Sequence, residues 1–316
     1  MELFQATLGQ MGFLFLLIAL GFIVVKCKVL DSDSAQVLSK LENTIFVPAL
    51  VLNTFIDNFT VEKISSAGLM FGASFVLALI MIPIAILVSK FCSKDKYIQK
   101  IYTYGLAFSN FGFMGNAVVN ALFPDIFMNY LIFTLPLWTL IYIWGVPKLL
   151  IANEQKTSFI DKLKPFANPM LAAMLVGMIL GLSGVGSMIP SWLKGAVESA
   201  SDCMSPVAML LTGITIAGTD LKKVLKIGSI YVVSVVRLII FPAIFMIIIY
   251  FFNLPQDLVI CAVCSLAMPL GLSTIVVPRA YGRDTSVAAG MAVVSHLLSC
   301  ITIPIVFYFM TQFLIK

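Results

Sequence analysis

Charged residues are scarce in this sequence, and histidine is almost absent. Only 11% of the 316 residues are charged, a single histidine is present, and 60% of the residues are hydrophobic. Soluble domains contain about 25% charged residues and roughly 45–50% apolar residues. A soluble core could not bury this much apolar surface, so the excess must face lipid. The composition therefore indicates an integral membrane protein, and no stretch is long and polar enough to form a soluble domain.

Motifs that would indicate an enzyme or a metal site are also missing. The sequence contains no H-E-x-x-H metal motif, no phosphate-binding P-loop and no serine-nucleophile elbow. No basic cluster is interleaved with aromatic residues, as nucleic-acid binding would require. Cys261 and Cys264 have a C-x-x-C spacing, but zinc needs further ligands and the one histidine is His296. We therefore expect no enzymatic activity, no cofactor, no metal site and no nucleic-acid partner.

Long apolar segments follow one another along the whole chain. A bilayer core of roughly 30 Å requires about 20 residues of helix. The first segment lacks a basic leader and a small-residue cleavage site, so we expect a retained helix rather than a signal peptide. The second and seventh segments are the least uniformly apolar. The ten predicted spans cover residues 6–25, 36–56, 64–89, 101–122, 126–148, 168–186, 191–218, 227–252, 257–279 and 285–313.

Basic residues are concentrated in alternate connections between these spans. The connections after spans one, three, five, seven and nine carry most of the lysines and arginines, whereas the others carry only Lys63 and Lys194. Lysine and arginine mark the cytoplasmic side of a membrane protein. We therefore predict a multi-pass protein of the cell membrane in which the odd-numbered connections lie inside and both termini are extracytoplasmic.

The spacing of prolines indicates that the chain is an internal duplication. Pro48 and Pro206 are 158 positions apart, and Pro83 and Pro242 are 159 positions apart. Because five spans are an odd number, a second set of five enters the membrane from the opposite side, which makes an inverted repeat. The predicted units are a first repeat at 1–150, a cytoplasmic linker at 151–166 and a second repeat at 167–316.

Spans four and nine contain helix-breaking residues at corresponding positions. The same offset relates Pro269 to Asn110, and the segments 109–116 and 268–274 combine glycine with asparagine, serine, threonine or proline. Unpaired backbone groups cost several kcal/mol each in lipid, so broken helices persist only where protein, water or ligand satisfies them. Their half-helix N-termini would direct positive partial charge at a bound anion. The alternative is two kinked helices with glycines at tight crossings.

Polar side chains within the spans are the candidates for a binding site. Side-chain amides can hydrogen-bond a carboxylate, although each could instead form a helix–helix hydrogen bond. The residues of the two interruptions, and two asparagines that flank Pro48, are therefore candidate ligands. The predicted substrate-binding residues are Asn110, Phe111, Gly112, Gly115, Asn116, Met268, Pro269, Gly271, Ser273, Thr274, Asn43 and Asn53.

Two ionisable residues within the spans are candidates for a proton or charge role. Arg237 in span eight either lies deep enough to need a partner or extends to the membrane surface. His296 in span ten either carries protons or is a neutral histidine that is hydrogen-bonded in the bundle. No acidic residue lies deep in spans four or nine, and Glu42 and Asp57 flank span two. This distribution of acidic residues is unfavourable for a sodium-binding site in these spans.

Several motifs together resemble those of the auxin efflux carrier family, in the wide sense that includes bacterial malate and malonate permeases. These motifs are LSKL at 38–41 with PAL at 48–50, NFGFMGN at 110–116, SP at 205–206 with LLTG at 210–213, and MP at 268–269. The resemblance covers essentially the whole chain, and a similar fold occurs in bile acid sodium symporters. Members often have a proline after the Gly-x-x-Gly of helix four. Asn116-Ala117 stands there instead, so glycine and asparagine must interrupt this helix.

The resemblance implies an all-α membrane protein of ten helices in two inverted five-helix repeats, with broken helices four and nine crossing at the substrate site. It also implies a scaffold and an elevator-like transport domain. We therefore predict a secondary transporter of small organic anions, such as dicarboxylates or auxin-like carboxylates, that works by alternating access. The alternatives are a sodium-coupled symporter of the bile-acid type and a membrane receptor that binds the ligand without transport. The expected partners are the anion and the lipid bilayer, and a homodimer is one assembly open to the chain.

Overall fold

The computed structural model describes residues 2–61, 64–151, 169–252, 254–281 and 283–314, and every regular element in these ranges is helical. The α-helices of the first half are α1 (Glu2–Lys26), α2 (Ser34–Leu41), α3 (Val47–Asn58), α4 (Ile64–Cys92), α5 (Lys96–Ala107), α6 (Asn116–Leu122) and α7 (Phe127–Leu140). Those of the second half are α8 (Pro169–Ser183), α9 (Ser191–Ala217), α10 (Leu221–Val224), α11 (Gly228–Val235), α12 (Phe241–Tyr250), α13 (Gln256–Ala267), α14 (Ser273–Ala280) and α15 (Ser286–Phe313). The all-α prediction is thus confirmed for the described residues. Apart from Ile151, the predicted linker at 151–166 lies outside them.

Within the described residues, six helical stretches are long and apolar enough to cross a membrane, and they correspond to predicted spans one, three, five, seven, eight and ten. Three shorter apolar helices correspond to spans four, six and nine. Span two consists of α2 and α3. Large apolar side chains on α4, α8 and α12 point away from the protein, for example Leu79, Leu175 and Ile247, each more than half exposed. In a membrane these side chains would contact lipid.

Short π-helical turns widen several of the spans. Glu42–Phe46 joins α2 to α3, and Val236–Ile240 joins α11 to α12. Each of these turns directly precedes a helix that has a proline at its second position, Pro48 or Pro242. A proline cannot donate a hydrogen bond to the carbonyl four residues earlier, and its ring displaces that carbonyl. The sequence therefore explains why both helices widen at these points.

The described helices form two groups, and each group contains helices from both halves of the chain. The first group consists of α1, α2, α3, α8 and α9. Helices α1 and α9 pack closely there, because a side chain at Gly213 would collide with the Ile18 carbonyl, and one at Gly21 with the Leu210 carbonyl. Small residues at such crossings let two backbones approach. The first group is therefore held by direct contact of helix backbones.

The second group consists of α4–α7 and α11–α15, with α15 largely buried among the others. Hydrogen bonds between hydroxyl groups join its helices. The Ser89 and Thr103 hydroxyls are 2.8 Å apart between α4 and α5, and the Tyr102 and Ser229 hydroxyls are 2.6 Å apart between α5 and α11. Helix α1 contacts α15 and α6, so it joins the two groups. The interruptions of spans four and nine both lie in the second group.

Candidate functional site

Spans four and nine cross at their interruptions. Helix α5 ends at Ala107 and is followed by an extended segment, while α13 ends at Ala267 and α14 begins at Ser273. The two interruptions run antiparallel, with a single bridge between Ser109 and Leu270. The two backbones approach closely, so that a Cβ at Gly271 would make a tight contact of 3.3 Å with the Ser109 carbonyl oxygen. Both helices are therefore interrupted at the predicted segments, 109–116 and 268–274.

Protein groups satisfy the backbone and serine groups at this crossing. The Asn110 N–H donates to the Pro269 carbonyl at 2.7 Å, and the Ser109 hydroxyl donates to the Ser265 carbonyl at 2.7 Å. The Leu270 N–H donates to the Ser295 hydroxyl of α15 at 3.3 Å. Such partners are what allow irregular backbone to exist at membrane depth.

Arg237 is buried behind the crossing, where it binds the ends of two half-helices. Its Nη1 donates to the Leu106 carbonyl at 2.9 Å, and its Nη2 donates to the Ser265 carbonyl at 3.0 Å. Its Nε lies 3.5 Å from the Met268 carbonyl. These carbonyls belong to the C-terminal ends of α5 and α13, which carry negative partial charge. Arg237 is 2% exposed, so its side chain is buried within the protein and does not extend to the membrane surface. None of the described carboxylates pairs with it.

His296 of α15 contacts the other face of the crossing. Its Nδ1 lies 2.8 Å from the Ala292 carbonyl, and its Nε2 lies 3.2 Å from the Asn110 amide nitrogen. A carbonyl requires a donor and an amide nitrogen requires an acceptor. We therefore assign the neutral tautomer with hydrogen on Nδ1, which satisfies both contacts. This geometry matches the neutral alternative in the present conformation.

A small recess opens between the two interruptions, with a cavity volume of about 20 Å³. This volume accommodates about one water molecule. The Trp138 ring closes one side, packed edge-on against Phe111 at 5.1 Å and stacked on Tyr142 at 5.9 Å between ring centroids. A carboxylate with several carbon atoms therefore requires movement of these groups before it can enter. The recess is lined by Tyr104, Ser109, Asn110, Phe111, Gly112, Phe113, Trp138, Ile141, Gly271, Leu272 and Ser273.

Helix ends with opposite partial charges lie at the crossing. Arg237 neutralises the negative ends of α5 and α13, on the far side of the interruptions. The helical turn Phe111–Gly115 and helix α14 both begin at the recess, and helix N-termini carry positive partial charge. No acidic residue lines the recess. No carboxylate in the lining therefore offsets the positive partial charge of these two helix N-termini.

Gly112 lines the recess, whereas the predicted residues Gly115, Asn116, Met268, Pro269 and Thr274 of spans four and nine are not among its lining residues. A side chain at Gly112 would collide with the Trp138 ring, and one at Gly115 with the Tyr130 hydroxyl. Thr274 donates to the Gly271 carbonyl at 2.7 Å. Asn116 is 2% exposed, and its side-chain oxygen has no hydrogen-bond partner among the described residues. Asn116 therefore has an unused acceptor beside the crossing.

Asn43 and Asn53 do not line the recess. The Asn43 side-chain amide donates to the Ser39 carbonyl of its own helix at 2.6 Å, and Asn53 is half-buried on α3. Both belong to the first helix group, so a role in lining the approach to the site remains a prediction.

Two lining aromatic residues outside the interruptions, Tyr104 and Trp138, were missed by sequence reasoning. Each lies within an apolar span, where an aromatic residue looks like ordinary core. A signal was present at Trp138, which lies two residues after Pro136 in the interior of span five. Tryptophan in membrane proteins is enriched at the two interfaces rather than in the interior.

Comparison with known families gives one match that covers most of the chain. The family described as membrane transport protein matches residues 6–307. The matched region includes both interruptions, Arg237 and His296. No curated protein matches the chain.

Proposed function

Because this chain belongs to the membrane transport protein family, the auxin efflux carrier family, we propose that it is a secondary transporter of small organic anions. The family match confirms the resemblance drawn from the motifs and makes the chain a multi-pass membrane transport protein. The observation that carries the choice of an anion is the crossing at Ser109 and Leu270. Two positive half-helix ends open on its recess, and Arg237 has no carboxylate partner among the described residues.

In this proposal the ten spans form two inverted five-helix repeats, 1–150 and 167–316, with both termini extracytoplasmic. Two observations support the arrangement. The interruptions of spans four and nine meet antiparallel, and each packing group draws helices from both halves of the chain. Inverted repeats of transporters characteristically place the substrate site where discontinuous helices meet.

Transport would proceed by an elevator-like movement of one helix group against the other. The first group, α1–α3 with α8 and α9, would be the scaffold, and the second group would carry the recess. The closed recess supports a requirement for movement, since it has room for about one water molecule. Asn43 and Asn53 of the scaffold would line the approach. The membrane potential could drive efflux, since moving one charge through 100 mV corresponds to about 2.3 kcal/mol.

Flux measurements on the purified protein in liposomes test this proposal. We expect uptake of radiolabelled malate, malonate or indole-3-acetate that does not depend on sodium. Strict sodium dependence would instead favour the symporter of the bile-acid type. A thermal shift with these ligands but no flux would contradict transport and favour a receptor.

The Asn110→Ala variant tests whether the crossing is the site. It removes the contact between Asn110 and His296. Loss of a buried hydrogen-bond partner costs about 1–3 kcal/mol, a factor of about 5 to 150, and we expect flux to fall within this range. Asn58→Ala is the matched control, because among the described residues the Asn58 side chain bonds within its own helix, to the Thr54 carbonyl at 2.9 Å. Equal flux in both variants would contradict a site at the crossing.

A further inference from the structure

Glu42 is a buried acid without a partner. Its side chain is 0% exposed within the protein, and neither carboxyl oxygen has a hydrogen-bond partner among the described residues. An ionised carboxylate in such a place would lose its hydration without compensation, which proteins avoid by protonating the group. Glu42 therefore holds a proton in this conformation. The sequence placed it only at the edge of span two, so its burial is a finding of the structure.

No charge on the neighbouring helices compensates Glu42. The turn Glu42–Phe46 packs against α2, α3, α8 and α9. The titratable side chains of α2, α3 and α9 are exposed or half-exposed, and the one ion pair among them joins Lys194 to Asp57 at 3.1 Å. Helix α8 contains no titratable residue. The groups concerned are Lys40, Asp57, Lys194, Glu198, Asp202 and Cys203.

A second unpaired polar group lies at about the same level as Glu42 along α9. Ala35 packs with Leu211 and Ile214 at one end of the antiparallel contact of α2 and α3 with α9, and the Lys194–Asp57 ion pair joins the other end. Interpolation between these two contacts puts Glu42 at about the level of residues 205–209. The Ser205 hydroxyl in this stretch is buried and has no hydrogen-bond partner among the described residues.

These surroundings fit a proton better than a metal cation. Hard cations take about six or more oxygen ligands, whereas a proton needs one oxygen. Ser205 is the one further side-chain oxygen that we find buried and unpaired at this level within the described chain. Glu42 also begins the π-helical turn before Pro48, and such turns are frequent at functional sites.

We propose that Glu42 is an intramembrane proton-binding site that couples proton movement to anion transport. One proton adds to one carboxylate oxygen, giving a neutral carboxylic acid, and the same bond breaks on release. Helix α9 packs against both the Glu42 turn and the Phe111–Gly115 turn at the crossing, so the two sites share a helix. The coupling of proton movement to transport rests on the proposed anion transport. Proton binding by Glu42 does not, and it can be measured in the absence of transport.

Infrared spectroscopy of the purified protein tests the bound proton. At neutral pH we expect a carboxylic acid C=O band in the wild type that is absent in Glu42→Gln, a neutral replacement of nearly the same shape. Glu198→Gln, which changes an exposed glutamate on α9, should keep the band. A wild-type spectrum without the band, or a Glu42→Gln spectrum that retains it, would overturn the site.

A flux experiment in liposomes at clamped membrane potential tests the coupling. With malate on the acidic side, a pH gradient of one unit should raise accumulation about tenfold in the wild type if one proton moves with each anion. Glu42→Gln should exchange malate but lose this response, and Glu198→Gln should keep it. An equal response in wild type and Glu42→Gln would overturn the coupling while transport stands. No flux in the wild type would refute the proposed function and the coupling together, and the infrared result would still decide the proton site.

Discussion

Arg237 is a side chain of span eight that contacts both interrupted helices. It donates to the Leu106 and Ser265 carbonyls and lies close to the Met268 carbonyl. Removing the guanidinium takes this donor away from the Leu106 and Met268 carbonyls, at about 1–3 kcal/mol for each acceptor left unpaired, whereas the Ser265 carbonyl keeps the Ser109 hydroxyl. We expect Arg237→Gln to lower the thermal unfolding temperature in detergent and to reduce malate flux.

Two further variants make the Arg237 experiment specific. Arg237→Lys keeps the charge, but one ammonium group cannot reach three carbonyls in a fixed fork, so we expect partial recovery of flux. Lys226→Gln removes an exposed charge near the start of the same span, and its stability should change by less than about 0.5 kcal/mol. Unfolding of Arg237→Gln at the wild-type temperature would contradict the assignment.

At the residue scale, the sequence identified candidate polar groups but not what they contact. It identified Arg237 and left its depth open, because depth depends on partners such as Leu106, 131 positions away in the chain. It identified His296 without its contact to Asn110, 186 positions away. Hydropathy and local spacing carry no information on such distant pairs. Glu42 was misjudged for the same reason, since only the packing of α9 and its neighbours buries it.

Helix α9 contains two glycines that differ in their surroundings, and this difference gives an element-scale prediction. A side chain at Gly213 would collide with the Ile18 carbonyl of α1, whereas one at Gly195 would meet no atom within 4 Å. Overpacking typically costs about 1–3 kcal/mol, so Gly213→Ala should destabilise the protein by forcing α1 and α9 apart. Gly195→Ala should be neutral or stabilising by up to about 1 kcal/mol, because alanine favours helix. Thermal unfolding of the two variants measures the contrast, and equal shifts would refute a tight α1–α9 contact.

Helices were predictable from sequence where the length of an apolar segment determines them. They were less predictable where local backbone geometry or packing determines them. The long spans follow from about 20 apolar residues each, and the interruptions follow from Pro269 with its glycine-rich surroundings. The π-helical turns before Pro48 and Pro242 could have been expected from the prolines. The closure of the recess by Trp138 could not, because it depends on how span five packs on span four.

For the whole molecule, sequence repeats and packing groups divide the chain differently. The proline offsets divide it into 1–150 and 167–316, whereas the helix contacts combine α1–α3 with α8 and α9, and the remaining spans with one another. The repeat describes the order of the spans along the chain, whereas the packing groups depend on which helix surfaces are complementary to one another. Such mixing is what an inverted repeat requires if each half supplies part of a scaffold and part of a moving body.

The inverted repeat makes a prediction about the two sides of the membrane. The connection after span four should lie outside, and the corresponding connection after span nine should lie inside. Asp125 and Tyr281 are exposed in these two connections. In a protein with the exposed Cys27 and Cys203 changed to serine, Asp125→Cys should react with a membrane-impermeant maleimide added to intact cells. Tyr281→Cys should react only after the membrane is opened. Labelling of both positions from the same side would mean that the two halves have parallel orientations. An inverted repeat would then not explain the antiparallel contact between Ser109 and Leu270.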